Sequence, residues 1–238
     1  MQKMKNSTLV GILLLLQMAG GIYLNFSFLA IFKSDIFTVD VSNLTLALGG
    51  ATLIALLLSF INVMVGSISA QKYYQRHPVL CLLLIMFAAL GLISTGFEYG
   101  NLANYTAFIS DIRLRGVQEL SGTLEFIRLQ IVSERNESHH LALFFSSLSL
   151  LFFYILLYRA TQIARLILAF AIAACLLQLI ALGNTFFQGQ VIMAIQLPLV
   201  VTQLVMPIYF IVFGFRSKAE SLPCPGGDTQ AQDKVQGA

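Results

Sequence analysis

Six long apolar runs that hold no charge in their interiors dominate the chain, at about 8–32, 43–69, 79–97, 141–158, 163–183 and 190–215. A helix rises 1.5 Å per residue, so roughly 20 apolar residues cross the ~30 Å hydrocarbon layer of a bilayer. In lipid every backbone N–H and C=O must be paired within its own segment or a closed barrel. Runs this long and this continuously apolar predict helices rather than the alternating strands of a barrel. The expected fold is therefore all-α, a polytopic bundle of six transmembrane helices.

Composition agrees. The 238 residues are 58% hydrophobic and 11% charged, against about 25% charged in an ordinary soluble domain. Disorder is excluded by 19 Phe and 8 Tyr. The net charge of +3 is spread over scattered basic residues, which argues against a nucleic-acid partner. Cys81, Cys175 and Cys224 are odd in number and widely separated, so they form neither a disulfide framework nor a metal-ligand pattern. The first run outlasts the apolar core of a signal peptide and is expected to stay as an anchor.

Basic residues near the span ends set the orientation. With a cytoplasmic N-terminus, nine of them fall inside (Lys3, Lys5, Lys72, Arg76, Arg159, Arg165, Arg216, Lys218 and Lys234) and five outside (Lys33, Arg113, Arg115, Arg128 and Arg135). Both termini are thus expected in the cytoplasm. Residues 1–220 form one transmembrane domain, and 221–238 a disordered cytoplasmic tail carrying Cys224.

The long extracytoplasmic loop, 98–140, has apolar residues from Ile109 to Ile131 at spacings of three to five, with Asp111–Arg115 and Glu125–Arg128 along its polar side. That pattern predicts an amphipathic helix between spans three and four, weakened at Gly116 and Gly122 and either lying on the membrane or capping the bundle. Asn104 and Asn136 stand in glycosylation sequons.

Ionisable groups inside spans are costly and mark function. The six runs hold none in their interiors, Glu98 and Arg165 standing at span ends, which takes support from ion-coupled transport. Amides remain, and a polar seam or ligand site is expected at Asn62, Gln196, Gln203, Gln17 and Asn25. In the second span Thr52, Ala55, Ser59, Asn62, Gly66 and Ser69 recur at steps of three and four; this is either a helix-packing face or the wall of a cavity centred on Asn62. Pro198 and Pro207 free carbonyls in the last span. Gln196 and Gln203, seven residues apart, are expected to turn inward together. His139 and His140 with Glu134 and Glu137 are the one His and carboxylate cluster, but adjacent histidines point to different sides of a helix, so no metal site is expected. Phosphate loops, metalloprotease spacing and intramembrane Ser–His pairs are all missing. Neither a catalytic residue nor a cofactor is expected.

Three segments, GILLLLQMAGGIYLNF (11–26), YILLYRATQIARLILAF (154–170) and LPLVVTQLVMPIYFIVFGF (197–215), resemble a bacterial family of six-span membrane proteins, domain of unknown function 4386. The similarity rests on Tyr158, Arg159 and Arg165 at the junction of spans four and five and on Leu197, Pro198, Tyr209, Gly214 and Phe215 at the close. Ala164 replaces the family's junction proline, Tyr209 its Trp, and Gln203 its usual Glu. The resemblance implies a bacterial inner membrane and six spans, and no activity. A non-enzymatic membrane protein is expected, binding a lipid, a small apolar ligand or a partner membrane protein, or forming a homo-oligomer. The alternatives are a small-solute transporter or channel without a charge relay, and an interfacial membrane enzyme using Glu98, Asp111, His139 and His140. Carriers are often built from two similar halves, and the first and last three spans show no such similarity.

Overall fold

A computed structural model describes residues 6–33, 37, 40–161, 163–187 and 192–214. The tail at 215–238, with Cys224, lies outside them. Six α-helices carry the fold: α1 Asn6–Tyr23, α2 Val41–Tyr73, α3 Pro78–Leu114, α4 Gly122–Ala160, α5 Arg165–Gly183 and α6 Met193–Val212. All six, α1 and α5 together with the short helical segments that follow them, are long and apolar enough to cross a membrane.

Local chemistry fixes their ends. Asp40 caps α2, its carboxylate accepting the Ser42 N–H at 3.1 Å. Pro78 opens α3 at the position where a missing N–H costs nothing. Beyond α1 the chain first widens and then tightens, through a π segment at Leu24–Phe28 and a 3-10 segment at Leu29–Lys33.

The 98–140 region departs from expectation. Its residues are helical, but they form no separate amphipathic helix. They are instead the extensions of α3 and α4, which run 37 and 39 residues, about 55 Å or more at 1.5 Å per residue. That exceeds the ~30 Å hydrocarbon layer, so the two helices project as a hairpin. The break falls at Gly116, whose φ of 68° is the left-handed conformation that favours glycine. Gly116 N donates to Arg113 O and Val117 N to Ile112 O, the paired bonds that close a helix C-terminus. Ser121 then caps α4. The two glycines that weaken the amphipathic pattern flank the turn of the hairpin.

Each helix packs on its sequence neighbours, and α1 closes against α6, so the six form an up-and-down ring. Gly11 makes the closure tight: a Cβ there would sit 2.7 Å from the Pro207 carbonyl oxygen and 2.8 Å from Ile211 Cγ1. The second-span stripe is both packing face and cavity wall: Ala55, Asn62, Gly66 and Ser69 are buried and Ser59 Oγ lies 3.0 Å from Thr95 Oγ1 of α3, while Ser59 and Asn62 also line a cavity. Outward faces carry exposed Leu46, Leu53, Phe97, Leu166 and Leu197, as a lipid-facing surface requires.

Two apolar clusters hold the ring. One, near the short-turn end opposite the hairpin, gathers Tyr73, Cys81, Leu84, Phe153, Leu157 and Phe210. The other, under the hairpin, gathers Leu24, Leu44, Ala51, Tyr99, Leu102 and Ile109.

Candidate functional site

Two cavities lie along the molecule. The bundle cavity, about 640 Å³, is lined by five of the six helices, α3 excepted. Four of the five residues expected to form a polar seam, Gln17, Asn25, Asn62 and Gln203, line it, and Gln178 of α5 joins them. Gln196 does not. The hairpin cavity, about 690 Å³, lies between the segment after α1 and the projecting part of α4, and Asn25 lines it too.

Helix α6 turns differently from the expectation. Its buried line is Leu199, Thr202, Met206 and Phe210, while Gln203 is exposed on the open flank of the bundle cavity and Gln196 is half-buried. A spacing of seven puts two amides on one face without saying which way that face turns. Closure against Gly11 and the edge-on contact of Phe210 with Phe153, ring centres 6.0 Å apart, decide it in favour of the apolar line.

The hairpin holds a charged cluster. Glu98 is 5% exposed, and its Oε1 accepts from Arg135 Nη2 at 2.9 Å and meets His139 Nδ1 at 2.9 Å. His139 therefore faces Glu98 across the hairpin and not Glu134 or Glu137 on its own helix. One turn past Glu98, Asn101 Nδ2 donates to Ser138 Oγ at 2.9 Å and to the Glu134 carbonyl at 3.2 Å. Arg128 forks onto Glu125 at 2.8 and 2.6 Å, and this hydrogen bonding holds the Glu125 carboxyl below its ordinary range. Arg113 donates to the carbonyl of Phe37, tying the first loop to the hairpin. Among the described residues no group of three His, Cys, Asp or Glu side chains is placed to hold a metal.

Helix α4 forms a wall of both cavities. In the hairpin cavity it presents Glu125, Arg128, Val132, Arg135, Asn136 and His139; in the bundle cavity it presents Leu143, Ser146, Ser147, Leu150 and Tyr154. These follow at steps of one, three and four, which is one continuous helix face. The face runs about 40 Å from Arg128 to Tyr154 and passes from charged residues to uncharged ones, two serines among them, on the way. Two polar atoms along these cavities are buried and find no hydrogen-bond partner among the described residues: Nε of Arg135 and Oε1 of Gln178.

The sequence reading missed this graded face. The signal was present as a stripe through Arg128, Val132, Arg135, His139, Leu143, Ser146, Leu150 and Tyr154, but the change from charged to apolar at 141 was read as a loop giving way to a span. Comparison with protein-family models, curated proteins and solved structures finds no match for this chain.

Proposed function

We propose that this chain is a non-enzymatic multi-pass protein of a bacterial inner membrane, with cytoplasmic termini and an external hairpin, that binds a lipid-like amphiphile along α4. The observation that carries the reading is the single helix face that walls both cavities, charged in one and uncharged in the other, with Asn25 shared between them. Pockets for small ligands combine an apolar lining with a few placed polar groups; here the charged groups gather at one end of the axis and most of the leucines at the other, as charge and chain do in an amphiphile. Arg128, Arg135 and Asn136 suit a polar head, and Leu143, Leu150 and Leu199 suit a chain.

The test is native mass spectrometry of the detergent-purified protein. A bound amphiphile is expected on the wild type and is expected to be lost from Ser147→Phe, which fills the bundle cavity. A wild type with no adduct, or an adduct retained equally by the variant, contradicts the reading. Orientation is tested by thiol labelling of intact cells: Cys introduced at Ser121 should react and the native Cys224 should not.

A second reading, passage of a small solute, draws on the ring of helices around the bundle cavity. Uptake of a polar solute into proteoliposomes, blocked by Ser147→Phe, would favour it over amphiphile binding.

A further inference from the structure

We infer that the bound amphiphile belongs to a narrower class: a long acyl chain with a hydrogen-bond-accepting polar end and a hydroxyl part-way along the chain. This rests on the amphiphile-binding reading and specifies its ligand.

Gln178 is the observation behind it. Its side chain is 7% exposed and lines the bundle cavity, and Oε1 accepts no hydrogen bond from any described residue. A buried amide oxygen left unpaired costs about 1–3 kcal/mol, and the penalty is not relieved by lipid, which has no donors in its hydrocarbon layer. What satisfies Oε1 must donate. Among the groups an acyl amphiphile commonly carries, an alkyl chain, an ester and a carboxylate all fail, and a hydroxyl succeeds.

The opposite deficiency stands in the hairpin cavity. Nε of Arg135 is a buried donor without an acceptor, although the same guanidinium reaches Glu98 and Asn136 through its other nitrogens. A ligand complementary to both ends accepts at Arg135 and donates at Gln178. Along α4 the separation is that from Arg135 to Ser147, which lines the bundle cavity together with Gln178; twelve residues of helix are about 18 Å. A long acyl chain covers that distance and a small polar solute does not.

The experiment measures equilibrium binding of tritiated stearate, 15-hydroxystearate and 16-hydroxystearate, whose hydroxyls stand about 18 Å from the carboxylate in an extended chain as the helix spacing requires, to the purified full-length protein in lipid nanodiscs, with empty nanodiscs subtracted. The wild type should prefer one hydroxystearate over stearate by roughly fivefold, the value of one net hydrogen bond. Gln178→Leu should erase that preference while stearate still binds, which also shows that the variant is folded. Arg135→Lys, which keeps a positive charge opposite Glu98 but removes Nε, should weaken all three. Equal binding of hydroxylated and plain chains by the wild type, or a preference that survives Gln178→Leu, overturns the inference and leaves amphiphile binding standing. No binding of any probe above empty nanodiscs overturns both.

Discussion

Glu98 on α3 and Arg135 on α4 form an ion pair at 2.9 Å across the projecting hairpin, with the carboxylate side chain 6% exposed and the guanidinium 24%. Sequence separates them by 37 positions, and the turn at 115–121 is what lets them meet. A second partner, His139, reaches the same oxygen, so the carboxylate is held from two consecutive turns of α4.

Removing Arg135 leaves Glu98 with His139 alone. A fully buried pair broken on one side costs about 3–5 kcal/mol; partial exposure of Arg135 and the remaining histidine reduce this to about 1–2 kcal/mol. Arg135→Met is therefore expected to lower thermal stability in detergent, and Glu98→Leu combined with it to restore part of the loss. Reaction of the buried Cys81 and Cys175 with a maleimide dye during heating measures it. A single variant as stable as wild type would show that the pair contributes nothing.

The spans, their number and the all-α class were legible because hydrocarbon imposes one requirement on every residue of a span, and twenty residues in a row meet it or fail it. The hairpin was legible only as helical. Polar residues beyond 97 satisfy an amphipathic pattern equally well on a separate helix or on a continued one, and only the bonds at Gly116 distinguish the two. Gln203 and Gln196 show a further limit: shared spacing gives a common face, while the direction of that face depends on Gly11, a residue nearly 200 positions away. Asn62, Gln17 and Asn25 were legible as polar groups stranded in lipid, and all three line the bundle cavity. Gln178 met the same criterion, but nothing in sequence tells a paired amide from an unpaired one.

Glycines at helix contacts differ in how much space they leave. Gly11→Ala places a methyl against the Pro207 carbonyl and Ile211, and should destabilise by about 1–3 kcal/mol through overpacking. Gly66 is the contrasting case. Its nearest neighbour, Leu84 Cγ, would lie at 3.4 Å from the new methyl, so Gly66→Ala should stay within about 0.5 kcal/mol of wild type, whereas Gly66→Leu should overpack. The same thiol-exposure assay ranks the three variants, and a Gly11→Ala protein that melts with wild type would refute the close α1–α6 contact.

Acid should loosen the start of α4. The Glu125 carboxyl is held below its ordinary value near 4.5 by hydrogen bonding to Arg128, so the folded state binds its proton less readily than the unfolded chain. The stabilisation is present above pH 4.5 and is lost as pH falls through the lower folded value. Hydrogen exchange at 122–132, corrected for intrinsic rates, should therefore rise as pH falls below 4.5, and Glu125→Gln should remove that rise. An unchanged pH profile in the variant would assign the loosening to another group.

The central claim is that one face of α4 seats an amphiphile, head at the hairpin and chain in the bundle. Photocrosslinking with two diazirine fatty acids, one labelled beside the carboxylate and one at the chain end, tests it most directly when adducts are mapped by peptide mass spectrometry. The head-labelled probe is predicted to mark 128–139 and the tail-labelled probe 143–154. Adducts confined to outward residues such as Leu53, Leu166 and Leu197, or the same peptides marked by both probes, would contradict the account.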